Sequence, residues 1–124
     1  MLRALDHVQL AAPEGSEDAL RRFYGDALGM TETPKPPALA ARGGCWFEAG
    51  QVRLHLGIER DFRPARKAHP GLRVIGIEAY AARLAAHGVR IIWDGDLPGH
   101  RRFYADDPVG NRLEFLEPVT AGPA

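Results

Sequence analysis

Two stretches of the chain, "WFEAGQVRLHLG" and "FYADDPVGNRLEFLE", carry one pattern: an apolar run, a tight turn, and a second run with a polar residue framed by large apolar ones. A repeat on this scale constrains the fold more than any single motif, because each copy must be one supersecondary unit that buries its apolar face against a neighbour. Overlaying the two stretches puts His55, between Leu54 and Leu56, opposite Glu114, between Leu113 and Phe115. The openings of the two halves correspond as well. His7 in "DHVQL" falls opposite His69, which leads into "LRV".

The elements between these anchors follow the same order twice. A strand in "LDHVQLAAP" is followed by a helix with Ser16 as N-cap and Leu20, Phe23, Tyr24, Ala27 and Leu28 on one face at 3.6-residue spacing; Gly29 ends it. A short strand near Met30–Thr33 and a Pro-rich loop lead to a hairpin of "CWFEAG" and "QVRLHLGI" turning about Ala49-Gly50. The linker "ERDFRPARKAHPG" resets the pattern. "LRVIGI" reads as a strand, and "EAYAARLAAHG" as a helix with Ile77, Tyr80, Ala81 and Leu84 inward. "VRIIW" is a strand, and "RRFYAD" with "NRLEFLE" closes a second hairpin through Asp107, Pro108, Gly110 and Asn111. The expected fold class is α+β: two βαβββ modules, about 1–60 and 61–124, forming one domain with a curved, cup-shaped mixed sheet and helices on its outer face.

Composition excludes several functions. The chain has 124 residues, 45% of them hydrophobic, which suits one compact domain. Sixteen basic residues balance sixteen acidic ones, so no net field draws in nucleic acid or an anionic membrane. No apolar run reaches the roughly 18–20 residues that span a bilayer, and no signal peptide is apparent, so the cytoplasm is the expected compartment. The one cysteine, Cys45, cannot pair within the chain, and its place in a strand reads as a buried, inert thiol.

Alternation assigns the faces. Val8 and Leu10, Leu54 and Leu56, Leu72 and Val74, and Leu113 and Phe115 should face the helices. The opposite face then holds His7 and Gln9, Arg53 and His55, His69 and Arg73, and Arg112 and Glu114. Three imidazoles and a carboxylate are a complete ligand set for one divalent first-row metal: Zn, Fe, Mn, Ni or Co. A bound cation would also explain a carboxylate in the middle of an apolar strand. The candidate metal ligands are therefore His7, His55, His69 and Glu114, with His55 and Glu114 the candidate catalytic groups. Arg53 and Arg112 each stand about 6.6 Å along a strand from a ligand, a spacing from which a guanidinium could hold a carboxylate or phosphonate. Arg53, Arg73, Arg112 and Tyr104 are the candidate substrate-binding residues. Trp46 is assigned to the core, His87 to a helix C-terminus, and His100 to a mobile rim.

The double βαβββ order, with "DHVQL", "FYGDALGM" and above all "FYADDPVGNRLEF", resembles the vicinal oxygen chelate superfamily, which includes glyoxalase I, fosfomycin- and bleomycin-resistance proteins and extradiol dioxygenases. The resemblance covers Leu5 to Glu117. It implies a cup holding one metal, with ligands from the first and fourth strands of each module, which fall on the four residues already named. It also implies a homodimer, with each cup closed either across two chains or within one. Where glyoxalase-like members carry Glu or Gln, this chain has His55, a fourth ligand or a base beside the metal. The extradiol signature places a histidine farther upstream of the tyrosine than His100 lies from Tyr104, which disfavours ring cleavage. The implied function is a metal-dependent enzyme with isomerase, lyase, epimerase or oxygenase chemistry on a small molecule with adjacent oxygens, which the arginines would suit to an anionic one. The alternative is a non-catalytic, resistance-type dimer that sequesters a small molecule.

Overall fold

The computed structural model describes residues 1–119. In chain order the elements are β1 (Val8–Ala12), α1 (Glu17–Leu20) running on into a π-helical segment (Arg21–Ala27), β2 (Thr31–Thr33), α2 (Pro37–Ala40), β3 (Cys45–Ala49), β4 (Val52–Ile58), β5 (Gly71–Arg73), α3 (Ile77–Ala86), β6 (Ile92–Asp94), β7 (His100–Asp106) and β8 (Arg112–Pro118). The strands form two four-stranded mixed sheets of matching order, β1-β4-β3-β2 and β5-β8-β7-β6. In each sheet the first strand lies parallel to the last, and the remaining pairs are antiparallel. This is the expected α+β class.

One hydrophobic core draws on both sheets and on the helices. Leu54, Leu56, Phe47, Phe103, Leu113 and Phe115 come from the strands, and Leu20, Phe23, Tyr24, Ile77 and Leu84 from the helical segments. Alternation therefore buries the apolar set of β4 and of β8 and leaves the other set on an open face.

The first helix winds differently from its expected pitch. Its last amides reach back five and six residues, Leu28 N–H to the Phe23 carbonyl (2.9 Å) and Met30 N–H to the Tyr24 carbonyl (3.0 Å). The wide turn lets the adjacent Phe23 and Tyr24 both point inward. Ser16 does not cap this helix: its hydroxyl donates to the Pro13 carbonyl at 2.6 Å. The second half completes the helix end instead. Arg83 donates to the carbonyls of Ala27 (2.9 Å) and Asp26 (3.1 Å), and the Tyr80 hydroxyl to that of Leu28 (2.8 Å). These carbonyls have no partner inside the helix, and a cation there also suits the dipole.

Three other expectations are corrected. The strand expected over 72–77 ends at Arg73, because Gly76 takes a left-handed conformation (φ 73°) and the chain turns into α3. The Pro-rich loop contains the single turn α2, with Pro37 at its first position, where a missing N–H costs nothing. His100 starts β7, paired with Pro118, and is not a free rim residue. Cys45 is buried, and desolvation pushes its thiol up to about 11. Among the described residues no helix is long and apolar enough to cross a membrane.

Candidate metal centre

The turn before β8 fixes the position of Glu114. Asp107 accepts N–H bonds from Val109 (3.0 Å) and Asn111 (2.9 Å) on one oxygen, and bonds from the Tyr24 hydroxyl (2.7 Å) and the Asn111 amide (3.0 Å) on the other. The Asn111 amide also donates to the Ala11 carbonyl and accepts from Ala65 N–H, both at 2.8 Å. The Asp-Pro-x-Gly-Asn sequence is thus a buried peg joining the last hairpin to β1, the first helix and the linker. With that turn fixed, Tyr104 pairs with Glu114 across β7 and β8, and Gly71 pairs with Glu114 from β5.

The structure gathers the four candidate ligands as two pairs. In the first sheet the rings of His7 and His55 stack at 4.2 Å, and Trp46 lies against the other side of His55 at 4.1 Å and nearly parallel. Trp46 faces His55 across the β3–β4 ladder, so it walls the open face and is not a core residue. Its assignment failed because Cys45 and Phe47 hold the two inward positions on either side. His7 Nδ1 lies 2.9 Å from Asp6 Oδ1, a bond that holds the Asp6 carboxyl below its usual value. Desolvation, and next the neighbouring His7, lower His55 from its ordinary value and favour the neutral ring.

In the second sheet His69 Nε2 lies 2.9 Å from Glu114 Oε1. His69 Nδ1 faces the carbonyls of Arg66 (3.1 Å) and Lys67 (3.0 Å), so it must carry a hydrogen. Nε2 would then direct a lone pair at a carboxylate oxygen unless a proton or another cation lies between them. Both side chains are shielded, at 17% and 13% exposure. Glu114 Oε2 accepts from Arg102 (3.2 Å), whose Nε donates to Asp94 (2.7 Å). Burial acts to raise the Asp94 carboxyl, but its bonds to Arg102 and to Asp96 N–H hold it below the usual value. Among the described residues no three His, Cys, Asp or Glu side chains converge on one point, so the two pairs are separate within a chain.

The arginines divide. Arg53 lies between Asp6 (3.6 Å) and Glu48 (3.9 Å), beside the His7–His55 pair. Arg112 sits over the Tyr104 ring at 5.6 Å, on the Glu114 face, and forms no ion pair among the described residues. Arg73 is exposed and borders an apolar cavity with Leu72, Val74 and Phe115, bonded to neither pair. Sequence reasoning missed Arg102 and Asp94. Arg102 stands two residues before Tyr104, so alternation alone would have put it on the Glu114 face. Asp94 is visible only once β6 is aligned with β7.

Comparison with known proteins agrees with this architecture. Residues 4–115 match the model of the Glyoxalase/Bleomycin resistance protein/Dioxygenase superfamily. A crystal structure from Bacillus anthracis, described by its family alone as a glyoxalase family protein, is 45% identical, with a TM-score of 0.93 over 96% of this chain and 98% of that one. Lactoylglutathione lyase from Agrobacterium tumefaciens is 21% identical, with a TM-score of 0.72 over 94% of each chain. A mutant of the fosfomycin resistance protein FosX from Listeria monocytogenes, complexed with Mn(II) and 1S,2S-dihydroxypropylphosphonic acid, is 15% identical, with a TM-score of 0.72 over 93% and 90%. The last two likenesses concern the fold alone. No functionally curated protein matches the sequence. The matched span takes in both sheets and all four clustered side chains, and by it this chain belongs to the glyoxalase/bleomycin resistance/dioxygenase superfamily.

Proposed function

We propose that the protein is a metal-dependent enzyme of the glyoxalase-like kind, a lyase or isomerase acting on a small molecule with adjacent oxygens. Its site combines His7 and His55 of one chain with His69 and Glu114 of a second in a symmetric homodimer. The observation that carries this reading is the His69–Glu114 contact, in which a tautomer fixed by two carbonyls points its other nitrogen at a carboxylate. A cation resolves that conflict. The donor set fits one: His7 is held through Nδ1, with no partner on Nε2 among the described residues, and the His55 ring is biased to its neutral form.

A divalent ion, when bound, supplies Lewis acidity toward two adjacent substrate oxygens. His7, His69 and Glu114 would hold it, with His55 beside it as the group that moves the proton. The chain's own groups do the rest. His55, clamped between His7 and Trp46, is kept neutral and can take a proton from the substrate carbon or oxygen presented to its ring. Glu114 Oε2 is anchored by Arg102, so Oε1 stays directed into the site. Tyr104 walls the second half, with its ring edge-on to His69. The Mn(II) and dihydroxy phosphonic acid bound together by FosX are of the chemistry proposed here.

The test begins with the metal content of protein purified without added metal or chelator, where a stoichiometric divalent ion is expected. His7→Ala and Glu114→Ala should abolish tight binding, while His55→Ala should weaken it about 10- to 100-fold if that ring lies outside the first ligand shell. Unchanged affinity of Glu114→Ala in competition with a chromogenic chelator overturns the centre. No metal even after reconstitution leaves the sequestering role.

A further inference from the structure

Behind Trp46, on the side away from Arg53, lies a second cavity of about 280 Å³, bordered by Gln9, Lys35, Arg42, Trp46, Gly57 and Ile58. Its charged lining is two cations, with no carboxylate at its border. Neither Lys35 nor Arg42 forms an ion pair among the described residues, in contrast to Arg53 and Arg102, which both stand between two acids. Lys35 is half-buried and donates to the Gly43 carbonyl, which fixes the ammonium without neutralising it. Glu17, close by, turns its carboxylate to the N–H of Gly44 (3.2 Å).

A third donor is present because residue 57 is glycine. A Cβ there would stand 2.7 Å from Gln9 Nε2, so only glycine lets the Gln9 amide lie across the strand at the cavity's edge. That amide forms no hydrogen bond with the described residues, and its N–H groups remain available. The cavity adjoins the His7–His55 pair through Trp46, which borders both.

We infer that this cavity is an anion subsite, in which Lys35, Arg42 and Gln9 hold a carboxylate or phosphoryl group of a small-molecule ligand while Trp46 separates it from the His7–His55 side. Two cations without ion pairs among the described residues and an amide, with no carboxylate bordering the cavity, form a charge-assisted oxyanion receptor. The subsite stands on the cavity alone. Only its use as the seat of a substrate's distal anionic group rests on the function proposed above, and it gives that substrate a class: an elongated molecule with an anionic end remote from its reacting oxygens.

Inorganic phosphate is the probe, titrated into metal-free protein at constant ionic strength, so that a failed metal centre does not affect the result. The chain has two tryptophans, and their indole N–H signals are told apart by Trp93→Phe. The expected result is a saturable shift of the Trp46 signal, with a midpoint on the order of a millimolar, while Trp93 stays still. Lys35→Met with Arg42→Met should weaken it at least about tenfold, and Lys35→Arg with Arg42→Lys should retain it. Arg53→Met should leave it unchanged. A Trp46 signal that does not move, or a midpoint unaltered in the double Met variant, overturns the subsite.

Discussion

Asn111 is wholly buried, yet its side-chain amide is satisfied by Ala11, Ala65 and Asp107. Asn111→Ala strands a carbonyl and an N–H in the interior, and should cost about 2–4 kcal/mol. Tyr24→Phe removes one bond to the same carboxylate, whose remaining partners stay in place, and should cost about 1 kcal/mol. Urea denaturation of the two variants checks the ranking; equal losses would mean that Asp107 and not Asn111 is the structural hub. At this scale the sequence was legible where a residue's role is local. The turn composition of Asp107 to Asn111 and the alternation about His55 and Glu114 could be read directly. The amide's contacts with Ala11 and Ala65 could not, since they join residues far apart in the chain. Alternation would have placed Arg102 on the Glu114 face, but its contact with Glu114 crosses a strand pair and is not local.

At the scale of the element, α3 starts at a glycine with no side-chain cap of its own. Glu117, at the far end of β8, supplies the cap: its carboxylate accepts from Gly76 N–H (2.8 Å) and Ile77 N–H (3.1 Å). Those two bonds hold its carboxyl below the usual 4.5. A carboxyl held lower in the folded than in the unfolded chain adds stability above its unfolded value, and that addition fades as pH falls through the folded value. Glu117→Gln should therefore lower the urea midpoint at neutral pH, with the gap to wild type closing below about pH 4. A gap that persists in acid would assign the loss to shape and not to charge. The cap also explains why the expected strand over 72–77 stops short. Periodicity registers the apolar residues Leu72, Val74 and Ile77, but carries no signal for a carboxylate arriving from 40 residues away. The first helix has the same lesson: its buried face was readable, and its wide turns were not, because Tyr24 is drawn to Asp107 in the other half.

At the scale of the molecule, the two halves share one core, while the candidate ligands sit on open faces in separate pairs. Under the proposed function each site takes one pair from each chain, so light scattering at micromolar concentration should report a dimer. A sharper prediction uses two inactive variants. One lacks His7 and His55, the other His69 and Glu114, and neither alone should bind metal tightly. Co-folded, they should recover one metal per heterodimer, because the intact pair of each meets the other across one of the two sites. No recovery in a confirmed heterodimer would rule out a centre shared between chains. The two halves follow one plan, but their hairpin turns have different freedoms. The turn at Gly50 is bare, with nothing within 4 Å of an added side-chain carbon, whereas the turn at Asp107 is buried and bonded to three other parts of the chain. Over evolutionary time, insertions and deletions can therefore collect at the first turn while the second keeps its length. A duplicated architecture can in this way have one half whose loops vary freely and one whose spelling is held fixed.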